Sequence, residues 1–161
     1  MNVQGTGDLD IKLVADAEKS FQAADHLLYF VYPMLKDQKL IKKALEEIFN
    51  SARNLVNSIL LFEHKKTNIR IYQDKESNIE TFKKISTKLD ISKPELDTIL
   101  EIFDFNEKHQ KSPTEFVRNN QIIILLENQR YETITFEKLK SYANILKTVI
   151  QKFKLYREQK F

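Results

Sequence analysis

Cysteine and tryptophan are absent from the 161 residues, and glycine and proline are scarce, with two and three copies. Without cysteine there are no disulfides, thiolate zinc sites, iron–sulfur ligation or cysteine nucleophiles, which fits a reducing compartment. So little glycine and proline argues against a β-sandwich, a solenoid of tight turns or a disordered tail, and favours long helices. Residues 1–10 lack the basic and apolar stretches of a signal peptide. No apolar run approaches the roughly 20 residues that span a bilayer, so a cytoplasmic chain without a membrane partner is expected. A Gly-rich phosphate loop, a GxSxG elbow and an HExxH helix are also missing, which sets aside the commonest nucleotide-dependent and hydrolytic enzymes.

Charge of one sign is lacking too. Twenty-six basic residues face 23 acidic ones, for a net +3, and only five of the basic residues are arginines. A dedicated nucleic-acid binder more often carries a clustered, arginine-rich stripe. The abundance of lysine, isoleucine and asparagine fits an AT-biased genome, so part of the basic character is a codon effect. At 42% hydrophobic residues the chain has material for one core without staples, and a single domain over 1–161 is expected.

Apolar spacing then sets the elements. After a polar start with Gly5 and Gly7, Asp8 or Asp10 can cap a helix that turns Leu13, Ala17, Phe21, Ala24, Leu28, Val31 and Leu35 inward, with Pro33 kinking or ending it. Asp37 opens a second helix, whose stripe of Ile41, Ala44, Leu45, Ile48, Ala52, Leu55, Val56, Ile59 and Leu60 ends near Glu63 or His64. A short connection makes these two an antiparallel hairpin. Residues 65–76 read as a linker. Ser77 can cap a short helix to about Leu89, and Ser92, Pro94 and Glu95 spell a capping box for a helix ending near His109.

Ser112, Pro113 and Glu115 repeat that start signal and predict a single helical turn carrying Phe116 and Val117. Ile122 to Leu126, a turn over Glu127 to Tyr131, and the alternating Glu132 to Phe136 form a β-hairpin. An isolated hairpin is marginal in water, so it must pack on the helices or pair with a second copy. Thr135 can cap the last helix, with Leu139, Tyr142, Ala143, Leu146, Val149, Ile150 and Phe153 inward and a frayed tail after Tyr156. The expected fold is mainly α: an antiparallel four- to five-helix bundle with one short β-hairpin before the C-terminal helix.

Two groups of polar residues are candidates for chemistry. Arg53, Asn57 and His64 flank the stripe of the second helix and could line a polar groove, with Arg holding phosphate and His acting as acid or base. The plainer reading is a solvated helix edge. His109, Lys111, Ser112, Glu115 and Arg118 gather, with Lys108, around the predicted helix start, where free amides can hold an anion or a partner. The plainer reading there is a capping box with surface ion pairs. No catalytic residues, metal ligands or cofactor are assigned: His26, His64 and His109 have no second histidine at i+3 or i+4. Tyr29, Phe30 and Tyr32 could stack on bases, although packing against the second helix accounts for them. A pocket beside Tyr29, Phe30 and Arg53 is a further expectation.

Ala15, Ala17, Ala23 and Ala24 in the first helix, and Ser51, Ala52, Arg53 and Asn54 in the second, resemble HEPN domains, a helical family of RNases and RNA-binding partners. The resemblance covers about the first third of the chain. Its catalytic pattern is Arg, a polar residue, then His a few positions on. Arg53 and Asn54 match the opening, but Asn57, Ser58 and Ile59 stand where the His belongs and His64 lies further along. The segment from Lys111 to Arg118 is similar to one in uncharacterised small archaeal proteins, which implies no activity. The sequence therefore reads first as a non-enzymatic interaction or scaffold module, contacting an unidentified protein partner or itself as a homodimer. The alternative is a HEPN-like RNA-binding domain or ribonuclease.

Overall fold

The computed structural model describes residues 8–112 and 114–159; Gly5, Gly7 and Pro113 lie outside them. The chain is mainly helical, with a small antiparallel sheet before the last helix. Helix α1 (Leu9–His26) runs on through a π turn (Leu27–Val31) and a last α turn (Tyr32–Leu35) as one rod. Helix α2 (Lys39–Thr67) folds back along it after a three-residue link.

The antiparallel sense of this pair is written in two buried hydroxyls. Ser51 donates to the Ala17 carbonyl (2.7 Å) and Ser58 to the Asp10 carbonyl (2.6 Å), so α1 descends as α2 climbs. Ala17, Ala24, Ala44 and Ala52 are fully buried and let the backbones approach; Leu28, Leu45, Leu55 and Ile59 fill the seam, each contributing about 1.5–3 kcal/mol by leaving water. The spacing of α2 is borne out throughout, but the helix extends to Thr67, where Asn68 closes it in the left-handed conformation.

The rod departs from its sequence pattern at the π turn. The Tyr32 amide donates to the Leu27 carbonyl, five residues back, so one extra residue enters the turn. The shift lies just upstream of Pro33, which has no amide to donate and crowds the preceding turn. Register advances by one: Tyr32 is buried where the regular spacing puts Val31, and Leu35 is 66% exposed rather than inward. Tyr29 and Phe30, expected to pack against the second helix, are exposed because they follow the buried Leu28 by one and two residues and so lie off the inward face.

Helix α3 (Lys75–Ser86) begins earlier than the Ser77 cap implied. Asp74 is the cap, its carboxylate accepting from the Ser77 amide (2.8 Å). A 3₁₀ turn (Thr87–Leu89) leads to α4 (Lys93–Lys111), whose capping box is complete: Ser92 accepts from the Glu95 amide and Glu95 from the Ser92 amide.

The expected helical turn over Ser112–Val117 is overturned. Glu115–Arg118 is strand β1, paired antiparallel with β2 (Gln121–Leu125), which pairs in turn with β3 (Tyr131–Thr135). The sheet has three strands rather than two. The missed signal is Asn119-Asn120: both have positive φ, 52° and 63°, as a tight two-residue hairpin turn requires and asparagine tolerates. Ile122, Ile124 and Ile134 are buried within this chain, which answers how the hairpin is covered. Helix α5 (Phe136–Gln159) starts at the expected Thr135 cap, buries every inward residue predicted for it, and stays helical past Tyr156.

Candidate functional site

Helix α2 turns Phe49, Arg53, Val56, Asn57 and Leu60 to one side, at i, i+4, i+7, i+8 and i+11. Helix α4 offers Phe103, Asn106 and Gln110 at i, i+3 and i+7, and Gln73, Lys75, Asn78 and Ile79 close the third side. Together they line a cleft of about 370 Å³. Its floor is apolar: Val56 and Leu60 are buried, and Phe103 and Ile79 are half-buried. Its rim carries carboxamides. A second cleft of about 320 Å³ shares Phe49, Arg53, Asn106 and Gln110 with the first and continues to Glu46, Asn50 and His109. Arg53 thus stands at the junction of one continuous groove.

Arg53, Asn78 and Lys75 each have a definite local role. Asn50 accepts from Arg53 Nη2 (2.6 Å), which steadies the guanidinium one turn along the helix. Asn78 accepts from the Tyr72 amide (2.8 Å) and donates to the Tyr72 carbonyl (2.9 Å), and so clips the link between α2 and α3 into a wall. Lys75 Nζ lies over the Phe103 ring, 5.6 Å from its centroid. Among the described residues, none bonds the carboxamides of Asn57, Asn106 or Gln110.

Of the residues singled out from sequence, Arg53 and Asn57 share the first cleft, and Arg53 and His109 share the second. His64 lies in neither; its Nδ1 donates to the Ile69 carbonyl (2.6 Å) and helps end α2. The expected pocket beside Tyr29 and Phe30 is corrected, because the cleft at Arg53 includes neither.

The helix start at Ser112, on which the expected anion or partner site rests, is not there, since Glu115 begins a strand. The side chains gathered there brace the junction of α4 with the sheet. His109 Nδ1 is 2.5 Å from Glu115, whose other oxygen is 3.5 Å from Lys42. Lys111 pairs with Glu107 (3.0 Å), and the Ser112 hydroxyl lies within reach of the Thr114 and Leu125 carbonyls. Lys108, held between Asp104 and Glu132 at 2.9 Å each, is pushed up to about 12 by those bonds. Arg118 sits exposed at the end of β1.

Sequence reasoning missed a set of buried charges at the far end of α2. Asp10 is fully buried, 2.7 Å from Lys65 and 3.6 Å from Arg157. Glu63, also fully buried, accepts from the Tyr156 hydroxyl and lies 3.5 Å from Lys88. Burial, reinforced by that bond to Glu63, holds the Tyr156 phenol well above its ordinary range. A signal was available: Asp10 continues the stripe of Val14, Ala17 and Phe21, and Glu63 continues that of Val56, Ile59 and Leu60. A carboxylate in phase with an apolar stripe is buried and needs a cation.

No cluster able to hold a metal ion occurs among the described residues, and none of their helices is long and apolar enough to cross a membrane. Comparison with protein-family models, with curated proteins and with solved structures finds no match, so the use of this groove has to be argued from its own residues.

Proposed function

We propose that the chain is a non-enzymatic interaction module, a helical bundle that docks an acidic amphipathic segment of a protein partner on the end of its first rod. The observation that carries this reading is a cluster of exposed apolar side chains: Phe30 is 60% exposed, Met34 81% and Leu35 66%, with Tyr29 and Pro33 beside them. Apolar groups this close together and this open are uncommon on a chain with no partner. The π turn brings Leu35 out beside the others, and such turns recur at functional sites.

Charge argues for the occupant. Beside the cluster, Lys36 and Lys39 form no ion pair among the described residues, whereas Lys42 and Lys43 pair with Glu115 and Glu47, and Lys36 and Lys140 stand over the rings of Tyr32 and Tyr29, at 5.7 and 5.1 Å. Such a collar repels a second copy of itself and attracts a helix bearing carboxylates beside its apolar face. A designed 16-residue Leu/Glu amphipathic peptide should bind the purified chain saturably, and Phe30→Ser with Met34→Ser should abolish binding without lowering the melting temperature. Equal binding of the Leu/Lys counterpart, or binding only to anionic vesicles, would overturn the reading, as would self-association lost with the same two substitutions.

A second reading, RNA binding of the HEPN kind, is favoured by Arg53 and His109 lining one groove. It requires affinity for single-stranded RNA that falls steeply with salt and drops with Arg53→Ala. No binding at low salt would remove it.

A further inference from the structure

We infer that the free edge of β1 is a docking site for an extended acidic segment of a protein partner, which joins the sheet as a fourth strand and turns its carboxylates toward the start of α2. The site rests on other residues than the apolar cluster at the end of the rod, so the two stand or fall separately. The order β1-β2-β3 leaves β1 at one side of the sheet. The Leu125 amide donates to the Thr114 carbonyl (3.0 Å), which fixes Thr114, Phe116 and Arg118 as the residues that exchange backbone bonds with β2. The amides and carbonyls of Glu115 and Val117 therefore point away from β2, and nothing among the described residues bonds them.

Two clips hold this edge beside α2 and leave a gap between them. At the turn Gln38 accepts from the Asn120 amide (3.2 Å), and at the start of the strand Lys42 lies 3.5 Å from Glu115. In the gap Val117 lines a cleft of about 440 Å³ with Gln38, Lys39, Lys42, Lys43 and Glu46. An antiparallel strand laid on the edge bonds Glu115 and Val117 through alternate residues, whose side chains share the face of Val117 and enter the cleft. The residue between them lies on the other face, beside Phe116, which is 41% exposed.

Charge names the occupant. Three lysines and one carboxylate, Glu46, line the cleft; Lys39 has no ion pair among the described residues, and Arg118 is exposed at the end of β1. A second copy paired through the same edge brings Lys39, Lys42 and Lys43 of both chains to one seam, which like charge opposes. A strand with carboxylates at the inward positions and an apolar residue between them satisfies the lysines and Phe116 together.

NMR titration of the isotope-labelled chain with an end-capped eight-residue peptide that alternates glutamate and valine tests the inference. Binding should saturate with a Kd of about 1 mM or tighter and move the amide signals of Glu115 and Val117. N-methylation of the glutamate amides, which point at β1, should abolish binding, and N-methylation of the valine amides, which point away, should preserve it. Lys39→Glu should weaken binding about tenfold. Val117→Pro deletes an amide outside the ladder with β2, so it should abolish binding with the sheet intact, and the methylated peptides carry the same test without altering the fold. The inference is overturned by absence of binding, by equal affinity for a valine–lysine peptide, or by tolerance of glutamate N-methylation. Loss of binding with Phe30→Ser and Met34→Ser would overturn it by seating the peptide on the end of the rod, and self-association abolished by Val117→Pro would overturn it in favour of a second copy.

Discussion

Two arginines of this chain do opposite work. Arg157, near the end of α5, lies 3.6 Å from the buried Asp10 and over the rings of Phe62 and Phe153, at 5.6 and 5.7 Å. Arg53, midway along α2, is exposed, bonds Asn50, and stands where two clefts meet. At the first, charge is internal: Asp10 and Glu63 are taken out of water and held by Lys65, Arg157, Lys88 and Tyr156. At the second, charge is turned outward, and among the described residues the guanidinium bonds Asn50 on its own helix. The difference teaches that a polar residue in this fold is read by what already answers it, and not by its type.

Removing Asp10 is the largest test of that contrast. Asp10→Ala removes the buried carboxylate that Lys65 and Arg157 share; those cations, 32% and 17% exposed, can turn to water, so the cost is that of the lost charge-assisted bonds, about 1.5–3 kcal/mol. For a domain of this size the melting temperature should fall by about 5–8 °C. A melt within about 2 °C of the parent would show that the buried end is no clamp, and the comparison would fail at its stronger side.

How far the sequence reveals this depends on which periodicity applied. The stripe of α2, the capping box of Ser92 and Glu95 and the inward face of α5 were all legible, because they follow from 3.6-residue spacing and local hydrogen bonds. The end of the first rod was not, because one inserted residue at Leu27–Val31 rotates everything after it and no local signal beyond Pro33 announces the shift. Strand β1 was hidden by Ser112 and Glu115, which imitate a helix start and in fact brace α4 against the sheet. Of the cleft, Arg53 and Asn57 were legible from α2 alone; Asn106 and Gln110 were not, because only packing brings α4 opposite them.

A middle-sized effect separates the two kinds of charge by pH. Burial pushes the Glu95 carboxyl up, but the bonds from Lys152 (2.6 Å) and from the Ser92 amide and hydroxyl outweigh it and hold the group below its ordinary value of 4.5. A carboxylate depressed in the folded state contributes stability that is present above the unfolded value and is lost as pH falls through the folded one. Urea midpoints should therefore decline below about pH 4.5, and Glu95→Gln should be less stable at neutral pH with a shallower decline in acid. Parallel profiles for parent and variant would mean that the cap bonds the acid form equally well.

The smallest expected effect on stability is at Arg53. Arg53→Ala removes an exposed side chain whose bond within the fold goes to Asn50, a neighbour one turn away on its own helix. Substitutions of this kind leave stability nearly unchanged, so the melting temperature should stay within about 2 °C. Any affinity of the groove for single-stranded RNA should drop with the same substitution, because the energy Arg53 contributes there is realised only when an anion arrives. A large loss of stability would place Arg53 with Arg157, among the charges the fold uses to hold itself together.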